Sequence, residues 1–268
     1  MRSAAGLMVA GALALGSALA PGPGAAAQEG QRASEGYLTP EHLADLARAV
    51  PTAPQDGSTE AADDVAASER LRRLENGDRW LLATRQAELR PAIALAHFDC
   101  ALGFRVEAAE SPRLVALLTR VLHDANEAAE IAKARAHRPR PVAVDPQRPA
   151  CQVLSPAGRA SASHPSGSAS VGAAYGAALA ALVPDRAEAL REIGHQIGVS
   201  RMVCAMHYPS DVAAGEALGL AVFEDLARTP SFVADGQAAR IEIATARAAG
   251  RTSPACAAER AALALPLP

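Results

Sequence analysis

Aromatic side chains are scarce in this chain: one Trp, three Tyr and four Phe among 268 residues. Aromatic residues favour strands, so a β-rich fold lacks one of its usual materials. No segment alternates convincingly with period two, and no internal repeat is present. Beyond the N-terminal leader, no stretch reaches the ~18 uninterrupted apolar residues of a spanning helix. An excess of charge of one sign is missing as well. Lys and Arg number 26 against 29 Asp and Glu, a net charge of -3, with no basic block. That balance argues against nucleic acid as a partner. There is no CxxC pair and no Cys/His cluster at metal-ligand spacing. What is abundant is alanine, whose small side chain favours close-packed helices. The expected fold class is all-α, a compact helical bundle.

The N-terminus reads as a secretory leader over residues 1–27. Arg2 supplies the positive end, residues 7–19 are apolar but too short for a span, and Ala25-Ala26-Ala27 is a small-residue cleavage site. The expected location is therefore periplasmic or secreted. The rest of the chain suffices for one core. The expected divisions are a flexible N-terminus over 28–36, a single helical domain over 37–250, and a loose tail over 251–268. Cys100, Cys151, Cys204 and Cys256 make an even count in an oxidising compartment. One or two disulfides fit, three full pairings are open, and Cys204 also suits a buried free thiol.

Helix signals recur along the domain. Thr39 and Pro40 open a first helix that runs through Val50. Residues 60–74 read as helical, with Val65, Leu71 and Leu74 inward. Residues 80–102 form a long helical pattern broken near Pro91. Ser111 and Pro112 cap and open a helix toward Lys133, with Leu114, Leu117, Leu118, Val121 and Leu122 on one face. Four prolines over 139–149 and a segment over 155–163 make loops. A helix of small residues follows over 165–182. Asp185 caps the next, through Ile197, another runs from Pro209 to Leu226, and the last covers 237–249.

Chemistry concentrates in three places. Ser200, Arg201, His207 and Asp211 fall within twelve residues. His207 and Asp211 are four apart, a spacing that lets side chains meet across one helical turn. A carboxylate so placed holds an imidazole in one tautomer, leaving the other nitrogen free as base or nucleophile. Arg201 adds a fork suited to phosphate or carboxylate. Lys133 and Arg140 lie seven apart across the end of one helix and the following loop. Taken singly, they also read as a helix-dipole partner and a solvated loop residue. Pro165, Ser166, Gly167 and Ser168 open the small-residue helix, whose first N–H groups and dipole form an anion site. Gly167 lets a ligand approach the backbone.

Together these segments resemble the signature K-x6-R-P, P-S-G-H and S-R-x5-H-x3-D of the phosphatidic acid phosphatase type 2 superfamily, which includes the vanadium haloperoxidases. They look most like the bacterial class A non-specific acid phosphatases. The first motif matches at Lys133, Arg140 and Pro141, the third at Ser200, Arg201, His207 and Asp211. The second matches at Pro165, Ser166 and Gly167 and departs at Ser168, where the family has His. The resemblance implies a phosphomonoesterase acting on small phosphate esters, binding inorganic phosphate, inhibited by vanadate and needing no cofactor or metal. His207 would attack phosphorus and Asp211 would orient it. Lys133, Arg140, Arg201, Ser166 and the N–H of Gly167 would bind the phosphoryl oxygens. The family's general acid falls at Ser168, and His164 is the nearest substitute. Two alternatives stay open: a weakened phosphate- or vanadate-binding homologue, and a vanadium haloperoxidase. Relatives often form homo-oligomers, a state left open here.

Overall fold

Side chains of alanine size or smaller dominate the helix that follows Pro165, and they decide how the other helices meet. The computed structural model describes Met1 and residues 35–268. Its principal helices are α1 (Pro40–Ala49), α2 (Thr59–Arg70), α3 (Asp78–Arg85), α4 (Pro112–Lys133), α5 (Gly167–Leu182), α6 (Ala187–Val203), α7 (Pro209–Leu226), α8 (Pro230–Ala249) and α9 (Cys256–Leu263). No strand occurs among the described residues, so the all-α expectation holds. None of these helices is long and apolar enough to cross a membrane. The leader expected over 1–27 lies, Met1 aside, outside the described residues, as does 28–34.

Helix α5 is buried on almost every face and packs against α4, α6 and α7. Close approach replaces bulk as the source of fit. A methyl group on Gly215 of α7 would lie 2.2 Å from the Ser166 carbonyl, and one on Gly219 would lie 2.1 Å from that of Ser170. Both distances are far inside van der Waals contact, so only glycine lets α7 lie against the first turns of α5. That contact sets the N-terminus of α5 beside the N-terminus of α7, where the candidate site lies.

The long helix α4 presents Leu114, Leu117, Leu118 and Val121 to the core, all fully buried, as its periodicity predicts. Each such side chain contributes roughly 1.5–3 kcal/mol on burial. Ser111 occupies the N-cap position but makes no capping bond. Glu242 of α8 supplies it instead, accepting from the N–H groups of Arg113 (3.0 Å) and Leu114 (2.9 Å). The flank of the site rests on a second apolar cluster that includes Leu71, Trp80, Val142, Cys151 and Cys204.

Several sequence expectations need correction. Val65 points outward and is half-exposed, because the buried side of α2 carries the polar residues Asp64 and Ser68 instead. The pattern over 80–102 breaks into α3 and short turns at Pro91–Ala94 and Asp99–Leu102. Asp185 does not cap α6; both its oxygens accept from Arg247 at 3.1 Å. Helix α6 runs past Ile197 to Val203, and α8 begins at Pro230, capped by the Thr229 hydroxyl. Residues 35 and 36 of the expected flexible segment are held, because Arg120 donates to the carbonyls of Glu35 (3.3 Å) and Gly36 (2.9 Å). The tail beyond residue 251 is not loose. It forms α9, tied to the body by the Cys100–Cys256 disulfide and packed on α3. Cys204 is no free thiol: it is bonded to Cys151.

Candidate active site

Four chain segments converge on a cleft of about 270 Å³ lined by Lys133, Arg140, Gly167, Ser168, Arg201 and His207, among others. Lys133 stands in the last turn of α4. Arg140 precedes the short turn Pro141–Val144, where proline needs no donor. Gly167 and Ser168 open α5, so their N–H groups lack intrahelical acceptors. Arg201 closes α6.

The chain then turns sharply to deliver His207. The Met206 N–H donates to the Arg201 carbonyl (3.0 Å) and the Ala205 N–H to that of Met202 (3.0 Å). This is the paired closure of a Schellman turn. Its left-handed position is Ala205, with φ of 55°, a conformation that costs an L residue roughly 1–2 kcal/mol. The Cys151–Cys204 bond and the Val142 N–H, which donates to the Ala205 carbonyl at 3.1 Å, hold the turn in place.

Backbone and guanidinium fix the state of His207. Its Nδ1–H donates to the Ser163 carbonyl at 2.8 Å. Its Nε2 accepts from Arg140 Nη1 at 2.9 Å, so Nε2 carries the lone pair and faces the cleft. Burial pushes its pKa well below the ordinary histidine value, reinforced by Arg140 and only partly opposed by Asp211. The expected direct pairing with Asp211 is not made. His207 Nδ1 and Asp211 Oδ2 are 4.0 Å apart. The reason is local: α7 begins at Pro209, so His207 lies outside the helix and helical i,i+4 geometry does not apply.

Asp211 is instead the centre of a buried network. Oδ2 accepts from the Ser163 hydroxyl (2.6 Å) and the Tyr208 N–H (2.9 Å). Oδ1 accepts from Arg138 Nη1 (2.7 Å) and meets His164 Nδ1 (3.1 Å). Burial alone would raise the Asp211 carboxyl, but the bond from His164, the nearby His207 and Arg138, and the Ser163 hydroxyl hold it well below the usual range. Arg138 also reaches Asp64 at 2.7 Å and stacks on the Tyr208 ring.

The remaining cations face one another. Arg201 is buried, its Nε has no partner, and its Nη1 donates to Gln152 Oε1 at 3.4 Å. Burial, with Arg140 adding to it, pushes its pKa down to about 10. Lys133 Nζ bonds Glu130 at 2.5 Å. Burial also lowers its pKa, against the pull of Glu130. A cluster of cations with one guanidinium N–H unsatisfied is arranged for an anion that supplies several acceptor oxygens.

Residues 114–227 match the model of the PAP2 superfamily. The acid phosphatase of Zymomonas mobilis is 34% identical over 200 residues, covering 74% of this chain and 75% of that relative. The chain belongs to the PAP2 superfamily. A non-specific acid phosphatase of Providencia stuartii is 28% identical over 209 residues, 78% of this chain and 84% of its own. The PAP2 match runs from α4 to α7 and contains every site residue named from the sequence.

Not all of those residues reach the cleft. Ser166 does not line it; its hydroxyl caps α5, accepting from the Ala169 N–H at 3.2 Å. His164 does not line it either. Its ring lies behind Asp211, with Nε2 against the Pro51 carbonyl at 3.0 Å. Ser200 is buried away from the cleft, where it accepts from Arg79 at 2.8 Å and donates to Gln86 at 2.5 Å. The residues not anticipated are Ser163, Arg138 and Asp64 in the network, and Asn126, Glu130 and Gln152 in the cleft wall. Asn126, Glu130 and Lys133 recur at helical spacing on α4, and that polar stripe on an otherwise alanine-rich end was the available signal.

Proposed function

We propose that the chain is an exported phosphomonoesterase that passes the phosphoryl group of a small ester through His207. The observation that carries this reading is the His207 lone pair at Nε2, directed into a cleft whose charged lining is mostly cationic. Phosphoryl transfer asks a protein mainly for positive charge on the equatorial oxygens and an in-line nucleophile. Arg140, Arg201, Lys133 and the free N–H groups of Gly167 and Ser168 provide the first. When a phosphoryl group enters, its oxygens take the Arg140 donor that now rests on Nε2, and the lone pair is released to attack. The Ser163 carbonyl then holds Nδ1–H while positive charge develops on the ring. Asp211 acts at one remove, by fixing Ser163 and the turn at Tyr208. Inorganic phosphate and vanadate bind the same cage as competitive inhibitors.

Ser168 stands in the cleft at the position where the resemblance expects an imidazole acid, and a serine hydroxyl is far too weak to replace it. Export is supported by the leader-like residues 1–27 and by the engagement of all four cysteines in disulfides.

The test is phosphate release from p-nitrophenyl phosphate by the purified chain, with His207→Asn as control, beside calorimetric titration of phosphate into Arg201→Ala. The reading requires turnover that His207→Asn abolishes and phosphate affinity that Arg201→Ala weakens at least tenfold. Tight phosphate binding without turnover would identify a binding homologue instead. Unchanged affinity in Arg201→Ala would remove the cage.

A further inference from the structure

We infer that Glu130 is the general acid of this site, taking over the task that Ser168 is unable to perform. The inference rests on the phosphomonoesterase reading and deepens it.

A group that protonates a leaving alkoxide must line the cleft, carry a transferable proton and lie on the solvent side of the phosphoryl cage. Glu130 meets all three conditions. It lines the cleft with Ser168 and His207. Its side chain is 53% exposed, whereas that of Lys133, to which it bonds at 2.5 Å, is 11% exposed. The carboxylate therefore stands at the mouth, one hydrogen bond out from a cation of the cage. The other candidates fail on geometry or chemistry. His164 is behind Asp211, its Nε2 at the Pro51 carbonyl. Arg140 and Arg201 do not surrender protons at working pH. Lys133 lies deep, its Nζ 3.3 Å from where a Gly167 side chain would begin, and is committed to the phosphoryl oxygens. Asn126, Gln152, Ser161 and Ser168 have no acidic proton in the useful range.

Lys133 on the same helix, Arg140 from the loop, Arg201 from α6 and His207 from the turn before α7 line the same cleft.

The step balances. His207 Nε2 donates its lone pair to phosphorus, the P–O bond to the alcohol breaks, and the Glu130 O–H proton passes to the departing oxygen. Alcohol, phosphohistidine and Glu130 carboxylate result. In the second half, Glu130 takes a proton from water as its oxygen attacks phosphorus. The P–N bond breaks, and phosphate, free His207 and protonated Glu130 are regenerated.

The experiment compares the full chain with Glu130→Gln and Glu130→Ala on a series of phosphate monoesters, from p-nitrophenyl to glycerol and simple alkyl esters. Active sites are counted by phosphate titration. A nitrophenolate leaves without a proton, whereas an alkoxide needs one. The inference requires kcat/KM for alkyl esters to fall ~10²–10⁴-fold, the range of a positioned acid, and much less for p-nitrophenyl phosphate. The dependence of rate on leaving-group pKa should steepen. An equal fall across the series would make Glu130 a positioning residue for Lys133 and overturn the inference. A rise in rate would show that the carboxylate only repels substrate, and would overturn it too. If wild type hydrolyses nothing and His207→Asn changes nothing, the phosphomonoesterase reading has failed, a result the series distinguishes from either.

Discussion

Two contacts hold the imidazole of His207 ready, and neither comes from an acidic side chain. The Ser163 carbonyl takes Nδ1–H, and Arg140 rests on Nε2. Because burial and the surrounding cations keep the ring neutral, the Nε2 lone pair survives into acid. We expect the acid limb of kcat/KM to lie well below pH 6.5, the value of an unperturbed histidine. A pH–rate profile with an acid limb at or above 6.5 would contradict the geometry. The same depression acts on stability. A group whose folded pKa is lowered binds its proton mainly in the unfolded chain, so its contribution is full above about pH 6.5 and declines as pH falls below that. Asp211, also depressed, adds a second decline below about pH 3.9. Asp211 matters more for architecture than for direct contact with His207. Asp211→Asn leaves the partly buried Arg138 short of one carboxylate, and should cost at most about 3–5 kcal/mol, the range for breaking a fully buried ion pair, measured by denaturant unfolding. At this scale the residues that meet in the cleft were legible, because Lys133, Arg140, Arg201 and His207 belong to spaced motifs. Ser163 was not: it acts partly through its carbonyl, and a backbone acceptor leaves no mark in the residue type.

Among elements, the decisive relation is α7 against the start of α5. The Ser166 N–H donates to the Asp211 carbonyl at 2.9 Å, so the first turn of α5 and the network share one joint. Gly215 makes the approach feasible. Gly215→Ala should push the Ser166 carbonyl away and destabilise the fold by about 1–3 kcal/mol, as overpacking does. It should also weaken phosphate binding beyond the loss of folded protein, read by calorimetry on the folded fraction. Unaltered affinity would mean that α5 tolerates displacement without moving the site. The small-residue helix itself was readable from the sequence. Its partners were not, because glycine spacing says that something comes close without saying what. The same holds for the cap of α4, where a serine in the right place is displaced by a distant glutamate, Glu242.

For the whole molecule, two disulfides tie distant parts of the chain, across 156 residues for Cys100–Cys256 and 53 for Cys151–Cys204. The first holds α9, whose helical order four cysteines and an open pairing did not reveal. Replacing Cys100 and Cys256 by serine should cost about 2–4 kcal/mol, and so lower the thermal midpoint by several degrees at roughly 2–4 °C per kcal/mol. Turnover at low temperature should persist, since α9 does not line the cleft. Replacing Cys151 and Cys204 should lower stability and also weaken phosphate binding. That bridge ties the segment bearing Gln152 and Leu154 to the end of α6 beside the turn that presents His207. Equal functional effects of the two replacements would count against this division of labour.

The expectations about turnover depend on His207 as the group that receives phosphorus. The direct measurement is rapid mixing of the purified chain with a fast-leaving ester, an acid-free quench within the first turnovers, and mass spectrometry of the peptide carrying His207. The account predicts one phosphoryl group on His207 that appears before steady state and decays with product release, and none in His207→Asn. Turnover that proceeds with no phosphoryl group on His207, or that persists in His207→Asn, would contradict it.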